Sequence, residues 1–497
     1  MVARAQWKTT AGFLFATIGS AVGLGNIWRF SYLTYKFGGG AFLIPYLIAL
    51  LTVGIPLLIL EYGLGHEKES SAPMAFAKIG HKYEWIGWWA VTFVMFGIVL
   101  YYMVVIAWAF NYLVFSFNLS WGNDTNTFFF KTFLNTSKSP FAIGNMRPLI
   151  LAAVAIIWFI NWLIVYKGVE KGIEKASKIF MPLLFFVTLL LVIWGLTLPG
   201  AREGIKTYLK PNFSILKTRA VWEAAFGQIF FTLSLGFGIM IAYASYLPRK
   251  TNIVKNALIT SFANSGFSFL AGFAVFSALG YMAHSSHLPM DKVVTQSIGL
   301  AFVSYPQIIN SLPILKSLFG ILFFGMLVIA GISSSISIIE AFTSAIIDKF
   351  HWKRKTVVTV ISILGFFGSL LFVTQAGLYW LDIVDHFLNT FGLIVVGLLE
   401  TVIIGWLYKA STLRNHINKS LNNSKFILGR WWDFSIKIII PFVLGFILVT
   451  SFIGELSKPY AGYQWKEVLL IGRDWLYYTL IIAIILSMTK RTVTYNK

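Results

Sequence analysis

The chain has 497 residues, 57% of them hydrophobic and 12% charged, with a mean hydropathy of +0.75. Soluble proteins carry about 25% charged residues, so this composition excludes a water-soluble globular fold and describes an integral membrane protein. The formal charge of +21 invites a nucleic-acid partner, but the cations sit in short connections between apolar runs and not on one soluble face, which excludes it.

In chain order the apolar runs cover 11–35, 40–65, 86–117, 148–166, 178–198, 222–246, 256–281, 317–348, 356–374, 378–408, 434–453 and 468–488. About 20 apolar residues cross a bilayer as a helix, and none of these runs alternates with the two-residue period of a barrel strand. The expectation is an all-α integral membrane protein with twelve transmembrane helices in a single domain, 1–497. Basic clusters at Lys167/Lys171/Lys175/Lys178, Arg249/Lys250/Lys255, Lys349/Lys353/Arg354/Lys355 and Arg414/Lys419/Lys425/Arg430 fall on one side of this alternating path. Arg4, Lys8, Lys490 and Arg491 join them, which places both termini in the cytoplasm of a multi-pass cell-membrane protein. Arg202, Lys206, Lys210, Lys217 and Arg219 crowd a connection on the opposite side and break the pattern. The N-terminus has no short apolar region with a small-residue cleavage site, so the first run reads as structural. Without cysteine, no disulfide forms and no redox compartment can be read.

The first run is interrupted at 19–26, GSAVGLGN. Each glycine weakens a helix by about 1 kcal/mol, and backbone freed at that depth persists only around a cavity or a bound ion. The sixth run has its own interruption at 232–238, TLSLGFG. Paired interruptions in two halves point to a midplane site between inverted repeats. The repeats would be 1–198 and 222–408, five helices against five, with 434–488 outside them. Close helix packing also favours glycine in membranes and stays open as the bland account of the glycines alone. The connection 120–147 reads as polar, and 285–313 carries short apolar pieces that would fold back as a lid.

Polar residues cluster near both interruptions. Asn26, Thr232, Asn264 and the run Ser333-Ser334-Ser335 lie in otherwise apolar surroundings. A sodium ion takes five or six oxygens, which freed carbonyls, hydroxyls and an amide oxygen supply, while half-helix N-termini favour an anionic group. For any one serine the alternative is a bond to the carbonyl one turn back in its own helix. The histidines, such as His66, His81 and His284, fall mostly in connections; His386, beside Asp385, reads as a pocket-rim residue. No nucleophile–base pair or metal cluster emerges, so no enzymatic chemistry is expected. An ion channel or a substrate-sensing membrane protein is the rival class.

The blocks GSAVGLGNIWRF (19–30), GGGAFLIPY (38–46), GQIFFTLSLGFG (227–238) and AGISSSISI (330–338), with nine residues between Gly172 and Pro182, carry a close resemblance. Over nearly its whole length the chain resembles a neurotransmitter:sodium symporter of the LeuT fold, which implies discontinuous helices 1 and 6 in a 5+5 inverted repeat. The implied activity is symport of sodium and an amino acid by alternating access. The resemblance implies a first sodium site at Ala21, Asn26, Thr232 and Asn264, shared with the substrate carboxylate. A second sodium site is implied at Gly19, Val22, Ala330, Ser333 and Ser334, where Ser333 replaces the usual threonine.

Substrate would meet Leu24, Gly25 and Tyr102 through its carboxylate, and Ala21, Thr232, Ser234 and Ser334 around its polar end. Ile98, Phe231, Phe237 and Ile338 would line its side-chain pocket. Gly23 stands where amine carriers hold an aspartate, which implies an amino acid substrate, and the apolar walls imply a neutral, hydrophobic one. Ser20 replaces an asparagine and leaves the polar floor open. Ser268 stands where chloride-independent relatives often carry a carboxylate, so a chloride is expected among Tyr46, Gln228, Thr232, Asn264 and Ser268; plain packing of Ser268 is the alternative. Arg29 and Asp385 match the family's outer gate. Arg4 and Asp348 match its inner gate, plugged by Trp7, and static helix-end roles are the alternative for all four charges. Gly172 and Pro182 imply a fifth helix that unwinds at its cytoplasmic end. Glu61, Glu340 and Glu400 read as structural hydrogen-bonding groups. The partners expected are the amino acid, two sodium ions, chloride and membrane lipid, with the carrier a monomer or a homodimer.

Overall fold

The computed structural model describes residues 6–293, 297–420 and 427–490, and these are helical throughout apart from connections and one isolated β-bridge, Met146–Thr374. The long elements are α1 (Thr10–Ala21), α2 (Leu24–Lys36), α3 (Gly39–Lys68), α4 (His81–Phe115), α5 (Pro148–Tyr166) and α6 (Val169–Leu196). They continue with α7 (Arg219–Thr232), α8 (Ile239–Ala244), α9 (Ile253–Ser285) and α10 (Lys316–Phe350). The last four are α11 (Arg354–Val373), α12 (Gly377–Leu407), α13 (Arg430–Gly462) and α14 (Trp465–Met488). Ten of these are single helices long and apolar enough to cross a bilayer among the described residues, and α1 with α2 makes an eleventh span bent by 50°. The sequence reading of twelve counts 222–246 as one span interrupted at 232–238. Here it is two pieces, α7 and α8, separated by residues 233–238, and neither is long enough to cross alone.

Both interruptions follow from local chemistry. Thr9 caps α1 by accepting the Gly12 N–H, and the helix ends where Val22 (φ −80°, ψ 94°) and Gly23 (φ −118°, ψ −167°) turn extended. Asn26 then restarts the chain: its side-chain oxygen accepts the Gly23 N–H at 2.9 Å, as a capping residue does. In the second interruption Ser234, Gly236 and Gly238 take φ of +53°, +74° and +68°. That left-handed geometry suits glycine and strains a serine. The freed Gly236 N–H donates to Glu61 Oε1 at 2.7 Å.

Burial separates an inner group of helices from an outer one. In α4 and α10, 89% and 78% of the most apolar window is buried within the protein, against 22% and 28% in α13 and α14. The last two therefore lie outside the bundle with faces that suit acyl chains, such as Phe442, Phe446 and Ile453. The described residues of the connection 285–313 form short helices, including Tyr305–Ser311, with Phe302 wedged among Trp28, Trp108, Tyr112 and Phe324. The connection 120–147 is less polar in structure than in sequence, because Phe128, Phe129 and Phe133 pack on Tyr112 and Phe115. Gly172 lies in a wide turn, Val169–Glu174, that runs directly into helix with Pro182 inside it, so the Val169 end of α6, expected to unwind, is wound here. His66 and His284 lie inside α3 and α9, not in connections.

Candidate functional site

Between the two interruptions lies a cavity of about 310 Å³, walled by α1, α2, α4, α7, α8, α10, α12 and Tyr460 of α13. All thirteen residues expected at the substrate line it: Ser20, Ala21, Gly23, Leu24, Gly25, Ile98, Tyr102, Phe231, Thr232, Ser234, Phe237, Ser334 and Ile338. A Cβ on Gly23 would stand 3.0 Å from Ser334 Oγ and 3.1 Å from Tyr102 Oη, so a side chain there would have to displace those hydroxyls. The Leu24 N–H points to Tyr102 Oη across a long 3.5 Å. Ser20 Oγ is buried and has no hydrogen-bond partner among the described residues.

Oxygens gather on the α1–α10 side. Ser334 Oγ lies 3.2 Å from Ser20 O, 3.3 Å from Ala330 O and 3.4 Å from Gly19 O, and Ser333 Oγ lies 2.8 Å from Ala330 O. The Asn26 N–H, the usual helical partner of the Val22 carbonyl, donates to Gly23 O at 3.2 Å, so Val22 leaves the ladder. Neutral hydroxyls and freed carbonyls are the oxygen donors a hard monovalent cation takes. Gly19, Val22, Ala330, Ser333 and Ser334 fit such an ion by their chemistry.

On the α7–α9 side Asn26 Nδ2 donates toward Thr232 Oγ1 (2.9 Å), Asn264 Oδ1 (2.8 Å) and Ser268 Oγ (2.8 Å). A cation held here needs that amide turned so that its oxygen faces Thr232 and Asn264. Tyr46 Oη donates to Ser265 Oγ at 3.2 Å and lies against Ser268. Gln228, one turn before Thr232, is fully buried with neither amide atom partnered among the described residues. Hydroxyl and amide donors fit a chloride, and the unpartnered Gln228 amide supplies N–H groups for one.

At one end of the cavity Arg29 and Asp385 both line the wall but form no ion pair within the described residues. The Arg29 guanidinium sits 5.0 Å from the Phe231 ring centre. Asp385 accepts from Tyr101 Oη at 2.5 Å and Asn389 Nδ2 at 2.7 Å. His386 lines the rim, stacked on Tyr460 at 3.7 Å with Nε2 3.0 Å from Glu455. At the other end Trp7 is buried, with its indole N–H on Tyr243 O (2.8 Å) and its backbone N–H on Tyr246 O (3.2 Å). Asp348 accepts the Ser71 N–H at 2.7 Å. Arg4 lies outside the described residues.

Sequence reasoning missed Tyr101, Asn389 and Tyr460 as wall residues. Asn389 stands four residues past Asp385, on the same helix face, which is a readable signal; Tyr101 and Tyr460 carry none. Of Glu61, Glu340 and Glu400, the first two make hydrogen bonds, Glu340 to Arg354 and to the Tyr246 hydroxyl. Glu400 makes none among the described residues and lies within electrostatic reach of Glu61.

The family model of the sodium:neurotransmitter symporter family matches residues 4–138 and 122–494. An uncharacterized sodium-dependent transporter of Methanocaldococcus jannaschii is 46% identical over 487 residues, covering 98% of both chains. A sodium-dependent dopamine transporter of Caenorhabditis elegans is 33% identical, covering 93% of this chain and 83% of its own. A sodium- and chloride-dependent neutral and basic amino acid transporter B(0+) of Mus musculus is 34% identical, covering 93% and 82%.

Proposed function

The chain belongs to the sodium:neurotransmitter symporter family, and on that premise we propose that it carries a neutral, hydrophobic amino acid into the cell together with two sodium ions, stimulated by chloride. The observation that carries this reading is the single cavity between two interrupted spans, lined by all thirteen residues that the resemblance named. Gly23 contributes the substrate class, since it offers no carboxylate to pair an amine. The substrate's own carboxylate would meet the α2 N-terminus, where the helix dipole favours negative charge. Ile98, Phe231, Phe237 and Ile338 would take an apolar side chain. One methylene is worth only about 1–3 kcal/mol, so the carrier accepts several such amino acids.

The ion sites follow the oxygen sets above, with chloride beside Ser268, where no carboxylate balances the sodium charge. The packed Trp7 end and the separated Arg29 and Asp385 correspond to a carrier open toward the outside, with both termini in the cytoplasm of the cell membrane. Residues 1–198 and 222–408 would be the two repeats that rock against each other. The test is uptake by proteoliposomes, competed by all twenty amino acids. Uptake that saturates and collapses when potassium replaces sodium is expected. Conductance without saturation, or uptake indifferent to sodium, would overturn the reading.

A further inference from the structure

The start of α1 and the start of α6 meet on one carboxylate. Glu174 is only 2% exposed and takes three donors: the Lys8 backbone N–H at 2.8 Å, the Thr9 hydroxyl at 2.9 Å and the Lys178 ammonium at 2.6 Å. Thr9 also caps α1 through the Gly12 N–H, so one hydroxyl both begins that helix and ties it to Glu174. Gly12 permits the approach, because a Cβ there would overlap the Glu174 carboxylate. Directly before Lys8 stands Trp7, buried against Tyr243 and Tyr246. On its own side Glu174 closes the wide turn Val169–Glu174 and precedes Pro182, which lacks the N–H that a continuous helix needs there.

The donor set divides in a telling way. Two donors belong to the segment that carries Trp7, and the third belongs to α6 itself. If the Trp7 segment withdraws, Lys8 and Thr9 leave with it while Lys178, with its side chain 37% exposed, stays on the carboxylate. The charge is then never stranded in an apolar place, and the pair turns toward water. A buried carboxylate stripped of all donors would be a costly state, so this arrangement is built to release.

We propose that Glu174 is a positioning residue of the transport cycle: its carboxylate latches the Trp7 segment to α6, and the path at that end opens only when the latch lets go. This rests on the alternating-access reading above. It adds a coupling between two elements: withdrawal of the plug removes two anchors from the first turn of α6 at the same moment.

The chain has no cysteine, so Ser337→Cys gives a single reporter. Ser337 is fully buried behind Tyr243, whose hydroxyl donates to it at 2.8 Å, and a polar thiol reagent reaches it only when the Trp7 end opens. In this background and at fixed sodium, Glu174→Gln is expected to raise the labelling rate about fivefold, the effect of weakening charge-assisted bonds that act only in the closed state. Lys178→Gln leaves both plug donors in place and raises the rate less. Thr9→Val combined with Glu174→Gln goes no further than Glu174→Gln alone, since both cut the same contact. A purely structural role would lower thermal stability and leave the rate unchanged. Equal rates in Glu174→Gln and its parent overturn the latch, as do effects of the two substitutions that simply multiply. Should Glu174→Gln fail to fold, Lys178→Gln and Thr9→Val carry the test, and parental rates in both overturn it. The parent's own response to replacing potassium by sodium reports on the carrier reading, so the two can fail separately.

Discussion

In the function proposed above, the charge at Ser268 decides which ions the site accepts. Its hydroxyl takes a hydrogen bond from Asn26 Nδ2 at 2.8 Å, beside Tyr46 and one helix away from the unpartnered amide of Gln228. A cation held at Asn26, Thr232 and Asn264 has no acid in that knot to balance it, and in the function proposed above chloride would fill the role. Ser268→Glu places a carboxylate there and is expected to make uptake independent of chloride. In the parent, replacing chloride by gluconate should cut uptake about tenfold or more, the cost of roughly 1.4 kcal/mol for an imperfectly balanced charge. Equal chloride responses in parent and variant would count against the site. The glycines and polar residues of this cavity were readable because each breaks a local rule of an apolar helix. Tyr101 was not, because its importance comes from Asp385, whose carboxylate it holds together with Asn389 while Arg29 rests on Phe231. Which donor an acid chooses is settled by packing between spans, and a single sequence does not carry that.

Interrupted helices need outside partners for their freed backbone, and α7–α8 finds one in α3. Glu61 Oε1 accepts the Gly236 N–H at 2.7 Å in a fully buried setting. Glu61→Ala leaves that N–H without a partner, which costs about 1–3 kcal/mol. Glu61→Gln keeps an oxygen acceptor of the same shape and is expected to cost far less. Thermal unfolding in detergent ranks them, and a Glu61→Gln as damaging as Glu61→Ala would mean that the charge matters and not the bond.

A second element-scale effect lies on the short helix Ala410–Lys419. Burial holds the His416 imidazole below its ordinary pKa of 6.5, Glu67 opposes this, and His66, Arg249 and Lys68 add to it. The unfolded chain therefore binds a proton on His416 that the folded chain refuses. Stability is complete above about pH 6.5 and falls as the pH drops below it. The midpoint of thermal unfolding should decline from about pH 7.5 to about pH 5.5, and His416→Gln should flatten that slope. The apolar runs were legible as helices because lipid forces every backbone group into internal bonds. The break in the sixth was legible from its glycines, and the positive φ values of residues 234, 236 and 238 spread it over 233–238. The aromatic packing within 120–147 escaped because its polar neighbours in sequence mask a face that forms only against α4.

At the scale of the whole molecule, the two proposed ion sites and the substrate cavity would form one charged assembly inside an apolar bundle, so the number of charges that cross together is measurable as energy. A tenfold sodium gradient supplies about 1.4 kcal/mol per ion, and 100 mV supplies about 2.3 kcal/mol per net charge. A zwitterionic substrate adds no charge. Two sodium ions moving alone carry two charges, so collapsing a 100 mV potential should lower the limiting accumulation about 2,000-fold. If chloride crosses with them the net charge is one, and the same collapse lowers it about 50-fold. The measurement is steady-state accumulation in tight proteoliposomes with the potential set by a potassium ionophore, at fixed sodium and chloride gradients. The smaller response is expected, because Ser268 leaves the chloride region uncharged and the anion is placed among Tyr46, Thr232 and Asn264, which join both sides of the moving interface. Ser268→Glu fixes the negative charge in the protein and restores two net charges, so its voltage response should be the larger one. Identical responses in parent and variant would show that chloride balances the site without travelling through it.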